Sequence, residues 1–374
     1  MLNKQVSLNQ AFSEKYRRVL VTGGAGFIGG AVIRRLLDFQ GIIVFNLDKL
    51  TYSSDLYSIN EKLKSLGSDS DKKYTFIKAD LCDEKIIEDA INKANPDLIL
   101  HLAAESHVDR SIENPRIFIN SNIVGTFNLL QSSLKHFNNL CTVRKKEFRF
   151  HHISTDEVFG SLEKDSFFSE KTKYDPRSPY SASKAASDHL VNAWQNTYGL
   201  PISITNCSNN YGPWQFPEKL IPLITLKAIQ GEKIPLYGDG KNIRDWLYIE
   251  DHVEAILATT FYGEIRKNYC VGGKNQLSNL FVAESICELL DQYLKKEFSH
   301  KKLISFVKDR PGHDKRYAIN PNLISEEIGW IPKFDFEDGL KKTVFWYLNN
   351  KLWCDRILKK SGYKGQRIGD LSKI

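Results

Sequence analysis

The sequence predicts an α/β fold, in which a doubly wound parallel sheet is covered by helices and is followed by a smaller, mixed α/β C-terminal lobe. Three observations predict this architecture. Short apolar runs alternate with segments of helical periodicity up to about residue 205. Each run is continuously apolar, which is typical of strands buried on both faces of a sheet. At 374 residues, the chain is also long enough for two lobes around a cleft.

Strands and helices alternate regularly in the first half of the chain. The helix that starts at residue 180 is expected to end before Gly199 and Pro201. Such alternation is typical of βαβ units, whose strands pair in parallel. The predicted strands are 18–22, 41–47, 74–77, 97–102, 148–154 and 202–206, and the predicted helices are 31–39, 84–94, 120–136 and 180–198.

The pattern changes after about residue 205, where Pro and Gly cluster between predicted helices. We therefore predict a loose polar extension over 1–16, a first domain over 17–204 and a second domain over 205–374. Residues 243–262 are expected to return to the first domain. The helices predicted in the second domain are 219–230, 251–262, 278–295 and 337–350.

The composition narrows the class of protein. Hydrophobic residues make up 41% and charged residues 26%, which excludes collagen-like, coiled-coil and mainly disordered chains. No run of about 18 apolar residues exists, so no membrane-spanning helix is expected. The polar N-terminus lacks the apolar core of a secretion signal. Six scattered cysteines without a C-x-x-C pair are typical of reduced thiols in a cytoplasmic protein, and they predict neither a metal site nor a disulfide framework.

The net charge of +7 raises the question of a nucleic-acid partner. The positive charges are spread in short runs such as Arg144-Lys145-Lys146, each close to acidic or apolar residues. We therefore interpret them as solvated surface and expect no nucleic-acid partner. A modest positive bias also suits an anionic substrate.

A glycine-rich turn follows the first predicted strand and opens a helix. The run Val21-Thr22-Gly23-Gly24-Ala25-Gly26-Phe27-Ile28-Gly29 fits the dinucleotide-binding spacing, with glycines for the tight turn and for close approach to a pyrophosphate. The helix N-terminus then faces the phosphates. Asp48 ends the second strand, where a carboxylate accepts hydrogen bonds from ribose hydroxyls and repels a 2′-phosphate. The pattern predicts a Rossmann-type domain that binds NAD rather than NADP, although the neighbouring Lys49 weakens the discrimination.

Two further patterns follow the fifth predicted strand. Tyr180 and Lys184 are four residues apart and face one side of a helix, where an ammonium lowers the pKa of a nearby phenol and makes it a better base. The run Thr155-Asp156-Glu157 lies where the strand ends, and adjacent carboxyl groups can divide acid and base duties. Either pattern alone has an ordinary reading, as a surface pair or as a helix cap. Their common place beside the cofactor turn favours a catalytic site.

Taken together, these residues resemble the dTDP-glucose 4,6-dehydratases within the extended short-chain dehydrogenases. The resemblance extends over nearly the whole chain from about Val19 and departs from the usual pattern at Gly30, Phe159 and Trp214. Trp214 replaces a frequent Tyr near the expected nucleotide-sugar site. The motifs are TGGAGFIGG, NLDKLTY, HLAAESHVDRSIENP, STDEVFG, SPYSASKAASDHLV, TNCSNNYGPWQFPEKLIPL, YGDGKNIRDWLYIEDH, YCVGGKNQLSN and VKDRPGHDKRYAI.

The resemblance implies roles for residues at matching positions. The implied catalytic residues are Thr155, Asp156, Glu157, Tyr180 and Lys184. The implied cofactor-binding residues are Gly23, Gly26, Phe27, Ile28, Gly29, Asp48, Lys49, Leu50, Thr51, Asp80, Leu81, Leu102, Ala103, Ala104, Glu105, Ser106, Ser121, Tyr180, Lys184 and Asn210. The implied substrate-binding residues are Ser106, Thr155, Asn209, Lys219, Leu220, Pro235, Leu236, Tyr237, Arg244, Asn279, Asp309, Arg310, Pro311, Gly312 and His313.

The resemblance also implies an activity: loss of water from dTDP-glucose through transient C4 oxidation by bound NAD. A UDP- or CDP-glucose dehydratase and a nucleotide-sugar 4-epimerase remain alternatives, and a non-catalytic NAD-binding sensor is an alternative of another class. Family members commonly dimerise through helices that correspond to about 113–136 and 180–198, so a homodimer is expected.

Overall fold

The computed structural model describes residues 2–295, 298–366 and 368. Parts of the predicted segments 1–16 and 205–374, at residues 1, 296–297, 367 and 369–374, lie outside the described residues. The chain forms two compact units. The first unit contains 1–155, 179–206 and 253–269, and the second contains 156–178, 207–252 and 270–374. The predicted domains divide the chain at 204, whereas these units place 156–178 with the second and 253–269 with the first.

The described residues form twelve strands in three sheets. The strands are β1 (Arg18–Thr22), β2 (Ile43–Asp48), β3 (Tyr74–Lys78), β4 (Leu98–His101), β5 (Arg149–Thr155), β6 (Ile202–Cys207), β7 (Asn209–Tyr211), β8 (Ile234–Tyr237), β9 (Ile243–Tyr248), β10 (Asn268–Val271), β11 (Gln276–Ser278) and β12 (Ile304–Val307).

Helices connect most of these strands. The α-helices are α1 (Leu2–Lys15), α2 (Phe27–Leu36), α3 (Tyr57–Leu66), α4 (Ser70–Lys73), α5 (Glu84–Ala94), α6 (Val108–Glu113), α7 (Pro115–Phe118), α8 (Gly125–Asn139), α9 (Thr142–Glu147), α10 (Pro179–Tyr198), α11 (Leu220–Gln230), α12 (Ile249–Tyr262), α13 (Asn279–Leu294), α14 (Asn322–Ile328), α15 (Phe336–Asn349) and α16 (Lys351–Ser361). A π-helical turn covers Ile119–Val124, and 3-10 turns cover Gly67–Asp69, Asp156–Phe159 and His300–Leu303.

The central sheet has seven strands in the order β10-β6-β5-β4-β1-β2-β3. Strands β1 to β5 pair in parallel, with Val19 opposite both Val44 and Leu98. Every residue of β5 is buried although its sequence, RFHHIST, is largely polar, because both faces of the sheet are covered. The predicted Rossmann-type α/β fold is confirmed. The apolar core around this sheet includes Leu20, Ile99, Phe150 and Ile204 from strands, and Ile87, Leu129 and Val191 from helices.

The second unit has two smaller sheets, which confirm the predicted mixed character of this part. In the first, β9 lies between β11, its antiparallel neighbour, and β7, its parallel neighbour. In the second, β8 and β12 pair in parallel. The strands of these two sheets carry five of the predicted substrate-binding residues, namely Asn209, Pro235, Leu236, Tyr237 and Arg244.

The N-terminal segment differs from the expectation of a loose extension, because residues 2–15 form the helix α1. Phe12 is fully buried, and its ring packs against Tyr16 at 5.0 Å, Phe39 at 5.4 Å and Phe261 at 6.1 Å between centroids. The Tyr16 hydroxyl donates a hydrogen bond to the carbonyl of Thr260 at 3.2 Å. Phe12 on α1 and Tyr16 just after its end, spaced at i and i+4, therefore attach this helix to the first unit.

Candidate active site

The glycine turn between β1 and α2 requires glycine for steric reasons. Gly23 has φ +72°, and a Cβ there would lie 2.6 Å from the Ala103 nitrogen. A Cβ on Gly29 would lie 2.2 Å from the Gly23 carbonyl oxygen. Real side chains do not tolerate such distances, so the turn closes only with glycine at these two positions. The same contact brings the predicted cofactor residues of the turn next to Leu102 and Ala103.

Gly26 is less tightly constrained than Gly23 and Gly29, because a Cβ there would meet one backbone atom, at a longer distance. It is the N-cap of α2, and no capping side-chain hydrogen bond is present there among the described residues. A Cβ on Gly26 would meet the Gly23 carbonyl oxygen at 3.2 Å as its nearest neighbour. The first turn of α2, with the predicted residues Phe27 and Ile28, therefore presents N–H groups that fit an approaching pyrophosphate.

Asp48 is buried at the end of β2 and holds the two loops beside it. Its carboxylate accepts hydrogen bonds from the N–H of Ala25 at 3.0 Å, the N–H of Leu50 at 2.7 Å and the hydroxyl of Ser54 at 3.3 Å. Burial raises the pKa of Asp48, and these hydrogen bonds act in the opposite direction. Leu50 itself has φ +61°. The acidic residue expected to bind ribose thus also shapes the site in which a ribose would lie.

Several predicted cofactor residues meet around the ammonium group of Lys49. Its Nζ donates to the Ser121 hydroxyl at 2.8 Å and lies 3.7 Å from the Asp80 carboxylate and 3.9 Å from the Glu105 carboxylate. The Asn122 side chain holds the backbone of Glu105 on both sides, through bonds of 2.8 and 3.0 Å. One ammonium group thus faces two carboxylates in this cluster. The predicted residues Thr51, Leu81, Ala104 and Ser106 also belong to the first unit, whereas Asn210 belongs to the second.

The Tyr–Lys pair lies in the first turns of α10 and is buried. Tyr180 is 7% exposed and Lys184 is 5% exposed. The Lys184 ammonium donates a hydrogen bond to the carbonyl of Ile153 at 2.9 Å, and its Nζ lies 3.4 Å from Nε2 of His152. The lysine is therefore fixed to β5, the strand that ends at Thr155.

A buried His–Asp pair lies behind Lys184. Nε2 of His152 lies 3.0 Å from the carboxylate of Asp188, which also accepts a hydrogen bond from the Ser154 hydroxyl at 2.7 Å. Burial, and then the Lys184 charge, lower the pKa of His152 to about 4, so the ring is neutral at pH 7. Burial acts to raise the pKa of Asp188. The pKa is nevertheless below its usual value, because the hydrogen bonds from His152 and Ser154 and the charge of Lys184 together outweigh burial. Asp188 is thus a buried carboxylate that balances the lysine.

Sequence reasoning did not identify this pair, although two signals for it existed. Asp188 follows Lys184 by four residues and therefore lies on the same face of α10. His152 lies two residues before Ser154 on β5, so both side chains face the same side of the sheet.

The Thr–Asp–Glu run begins at the end of β5. The Thr155 carbonyl accepts a hydrogen bond from the Asn206 side chain at 3.2 Å. Asp156 and Glu157 form the start of a 3-10 turn in the second unit, where Asp156 is 1% exposed. Burial raises the pKa of Glu157, while the positive charges of Arg310, Arg244 and Lys219, in that order, act against it. Glu157, one of the implied catalytic residues, thus lies in the field of three cations that belong to the implied substrate-binding residues.

The two small sheets bring the predicted substrate residues together. The parallel pair of β8 and β12 places Tyr237 opposite Val307, just before the predicted segment 309–313. There the Asp309 carboxylate lies 2.6 Å from Nδ1 of His313. Burial, and then repulsion by Arg310 and Arg244, lower the pKa of His313 to about 4. These contacts group Pro235, Leu236, Tyr237, Asp309, Arg310, Pro311, Gly312 and His313.

Arg244 lies on β9 opposite Leu277 of β11, and Leu277 lies two residues before α13 begins at Asn279. Its guanidinium donates to the carbonyls of Ile243 at 2.8 Å and Asp314 at 3.0 Å, and it stacks 4.1 Å from the centre of the Tyr317 ring. Burial lowers the pKa of Arg244. Sequence reasoning missed Asp314 and Tyr317, although they lie one and four residues after the predicted segment 309–313.

Two asparagine oxygens indicate where a ligand would complete the site of the second unit. The Oδ1 atoms of Asn209 and Asn210 are buried and have no hydrogen-bond partner among the residues that the structure describes. Buried acceptors without partners are costly in proteins. Both residues were predicted to contact ligands, so these oxygens fit donors supplied by a bound molecule. Across the described part of the chain, no group of three or more His, Cys, Asp or Glu side chains is arranged to hold a metal ion.

Comparisons with known proteins agree with this geometry. The family profile described as GDP-mannose 4,6 dehydratase matches residues 20–343. A dTDP-glucose 4,6-dehydratase from Escherichia coli is 49% identical over 94% of this chain and 99% of its own length. The structure is similar to DesIV, a dTDP-glucose 4,6-dehydratase from Streptomyces venezuelae solved with NAD bound, with a TM-score of 0.81, 37% identity and coverage of 91% and 99% of the two chains. It is also similar to a UDP-glucose 4-epimerase from Thermus thermophilus, with a TM-score of 0.77, 27% identity and coverage of 89% and 99%.

Replacing Asp48 by Ala should weaken NAD binding by about tenfold to a hundredfold, because hydrogen bonds to a charged group contribute about 1.5–3 kcal/mol. The preference for NAD over NADP should also fall, since the repelling charge is lost. Isothermal titration with each dinucleotide measures both effects. Asp38→Ala removes an exposed carboxylate from the same unit and is the control. Unchanged affinity and selectivity in Asp48→Ala would refute the ribose assignment.

Replacing Arg310 by Gln should raise the pKa of Glu157 further, because it removes the strongest charge that opposes the effect of burial. The carboxylate form, which a base requires, would then appear only at a higher pH. Titration of ¹³C-labelled glutamate by NMR, with the Glu157 signal assigned through Glu157→Gln, measures the pKa directly. Lys308→Gln makes the same charge change two residues away at an exposed position and should leave the Glu157 signal unmoved. A Glu157 pKa that does not rise in Arg310→Gln contradicts the electrostatic account.

Proposed function

The chain belongs to the family of nucleotide-sugar 4,6-dehydratases, and we propose that it converts dTDP-glucose to dTDP-4-keto-6-deoxy-glucose with loss of water. It is an NAD-dependent lyase. The observation that carries the proposal is the run of Thr155, Asp156 and Glu157, which places two carboxyl groups directly after a strand that also fixes Lys184. Identity of 49% to a dTDP-glucose 4,6-dehydratase over nearly all of both chains supports the nucleotide.

The chemistry explains why such a site needs both a Tyr–Lys pair and two carboxyl groups. Hydroxide is a poor leaving group at C6 of the sugar, and the C5 proton is not acidic. A ketone at C4 makes the C5 proton acidic, so elimination becomes possible. When bound, NAD supplies the chemistry that this series of reaction steps requires, because it can accept a hydride and give it back. The hydride removed from C4 would return at C6 while C5 regains a proton, so that loss of water is the only net change.

Tyr180 is the base for the C4 hydroxyl proton in this proposal. Lys184 lies one helical turn away on α10, and an ammonium beside a phenol in general assists the loss of the phenol proton. Thr155 would donate a hydrogen bond to the C4 oxygen. General-base help of this kind contributes roughly 10²–10⁴ in rate.

Glu157 and Asp156 divide the elimination between them. Glu157 removes the C5 proton, a role supported by its raised pKa, since a base works best when its pKa is near the working pH. Asp156 protonates the departing C6 hydroxyl. It is almost completely buried, so bulk solvent has little access to its carboxyl group.

The remaining predicted residues hold the two ligands. Lys219, Arg244 and Arg310 would neutralise the diphosphate, and their combined field at Glu157 supports this grouping. The other proposed substrate residues are Ser106, Thr155, Asn209, Leu220, Pro235, Leu236, Tyr237, Asn279, Asp309, Pro311, Gly312 and His313. The proposed cofactor residues are Gly23, Gly26, Phe27, Ile28, Gly29, Asp48, Lys49, Leu50, Thr51, Asp80, Leu81, Leu102, Ala103, Ala104, Glu105, Ser106, Ser121, Tyr180, Lys184 and Asn210.

A nucleotide-sugar 4-epimerase is the nearest alternative reaction. It uses a glycine turn and a Tyr–Lys pair but does not need two carboxyl groups for elimination. The epimerase named above shares the fold at 27% identity, well below the 49% of the dehydratase relative. The two carboxyl groups therefore provide the decisive test.

In Asp156→Asn and Glu157→Gln, turnover should fall by roughly 10²–10⁴, because proton transfer is lost while side-chain shape is kept. Both variants should still oxidise C4 in a single turnover, so the absorbance of reduced cofactor should build up. Exchange of solvent deuterium into C5 should persist in Asp156→Asn and become much slower in Glu157→Gln.

Tyr180→Phe is the matched control, since it should develop no reduced-cofactor absorbance. If both carboxyl variants lose that absorbance as completely as Tyr180→Phe, their assignment to elimination is wrong. If both retain full turnover, the dehydratase proposal fails and the epimerase is favoured.

We further propose that the protein is a homodimer located in the cytoplasm. The first unit exposes apolar side chains on neighbouring helical segments, where Ile119 is 50% exposed, Phe127 40% and Tyr198 52%. Such side chains are typical of a surface that another chain covers. All six cysteines are free thiols, and no helix in the described part of the chain is long and apolar enough to cross a membrane.

Light scattering of the protein from a cytosolic cell fraction should give twice the chain mass of 42.9 kDa. Phe127→Asp should shift it to the monomer mass, because it places a charge in the buried interface. The exposed Lys146→Asp, also in the first unit, is the control. A monomeric wild type, or absence from the cytosolic fraction, would contradict the respective part of this proposal.

A further inference from the structure

Three tryptophans form a cluster in the second unit. Trp214 lies in the loop after β7, Trp346 lies on α15 and Trp353 lies on α16. The ring centroids are 4.5 Å apart for Trp214 and Trp346, 5.3 Å for Trp214 and Trp353, and 5.2 Å for Trp346 and Trp353. Edge and tilted contacts at these distances are favourable aromatic geometry.

Trp214 has a backbone conformation that its side chain disfavours. Its φ is +72°, in the left-handed region where a bulky residue is strained. Such strain persists only where surrounding contacts over-determine the conformation, and it occurs preferentially at ligand sites. The cluster with Trp346 and Trp353 supplies those contacts.

The two residues that follow Trp214 are also held by the C-terminal part of the chain. The buried Tyr347 hydroxyl donates a hydrogen bond to the Gln215 carbonyl at 2.6 Å. The Phe216 ring lies 6.2 Å from the ring of Tyr363, which follows α16. Three successive loop residues are thus each fixed by α15, α16 or the residues just beyond.

This loop connects two groups expected to bind ligand. On one side, the Gln215 side chain donates to the Asn210 carbonyl at 2.9 Å. On the other, the Lys219 N–H donates to the Phe216 carbonyl at 3.2 Å, and Lys219 is the N-cap of α11. The position of Lys219 therefore depends directly on the backbone that the C-terminal segment holds.

We propose that Trp214, Trp346, Trp353 and Tyr347, here called the tryptophan brace, are positioning residues that hold Lys219 in place for the substrate diphosphate. The proposal rests on the proposed function, which assigns a nucleotide diphosphate to Lys219. Trp346, Tyr347 and Trp353 lie beyond the residues 20–343 that match the family profile. The C-terminal helix α16 therefore contributes to substrate affinity without carrying a residue that contacts substrate.

A double-mutant cycle on the full-length holoenzyme tests this proposal. In Trp353→Leu, the Kd of dTDP measured by isothermal titration should rise about tenfold, as expected for residues that act through a shared group. In a Lys219→Met background, the same substitution should change the Kd by less than about twofold. The kcat of Trp353→Leu at saturating substrate should stay close to wild type, while KM rises.

Two further variants separate positioning from general stability. Trp353→Phe retains an aromatic ring and should restore most of the affinity. Leu352→Ala, at a neighbouring position of α16 that is 88% exposed, should leave the Kd unchanged. Tyr347→Phe removes only the hydroxyl that donates to the Gln215 carbonyl, so it replaces Trp353→Leu in the cycle if that variant does not fold. Its effect on the Kd of dTDP should be smaller and should also disappear in the Lys219→Met background.

Equal losses of affinity in the presence and absence of Lys219 would overturn the proposal, because the brace would then act only on folding. The same holds if kcat falls and KM does not change. Failure of the proposed function is visible separately in the wild type. If the wild type binds UDP or CDP instead of dTDP, the same double-mutant cycle is measured with that nucleotide. If it binds none of the three nucleotides, the proposed role of the tryptophan brace is refuted together with the proposed function.

Discussion

The burial of the Lys184 ammonium is the constraint on which the centre of the first unit depends. A charge that is 5% exposed is tolerated only with an opposite charge and satisfied hydrogen bonds nearby. Asp188 supplies the charge one turn along α10, and neutral His152 lies between the two groups. Ser154 and Asn206 then satisfy the second oxygen of Asp188, at 2.7 and 3.4 Å. The polar residues at the end of β5 are therefore as necessary to this core as its apolar side chains.

In the second unit the charges are reversed, because several positively charged side chains surround one carboxyl group. Arg310, Arg244 and Lys219 all act on Glu157, yet burial prevails and its pKa is raised. Arg244 is held by two backbone carbonyls and by the Tyr317 ring, so it does not depend on Glu157 for a partner. An anionic ligand would balance these cations, which is the state that this arrangement of charges favours.

Local signals in the sequence predicted much of this fold, and the misses have physical reasons. Helix α5 begins and ends where expected, because Asp83 caps it and its apolar residues repeat at helical spacing. Helix α2 begins at Phe27 rather than at residue 31. The prediction missed its first turn because Gly29 and Gly30 have low helix propensity. Strand β10 has four residues and was not predicted, because it forms at the sheet edge only by pairing with β6, which lies far from it in the sequence.

In the candidate site, too, local patterns were predicted and contacts between distant residues were not. The glycine turn, Asp48 and the Tyr–Lys pair are predictable because each fits a local spacing. The His152–Asp188 pair and the Arg244–Tyr317 stack join residues far apart in the chain. Local spacing places each residue on a face of its own element but does not specify the contact. Helix α1 was missed for a similar reason, since Phe12 becomes part of the core only through Phe39 and Phe261.

The order of strands in the central sheet also has a consequence for synthesis on the ribosome. Strand β6 ends at residue 207, but its neighbour β10 begins only at residue 268. At typical elongation rates of about 5–20 residues per second, β6 waits roughly 3–12 seconds for the strand that covers its edge. An open, apolar strand edge is prone to pair with other chains during such a delay. Nascent molecules of this protein are therefore most vulnerable to aggregation while the residues between these two strands are being translated.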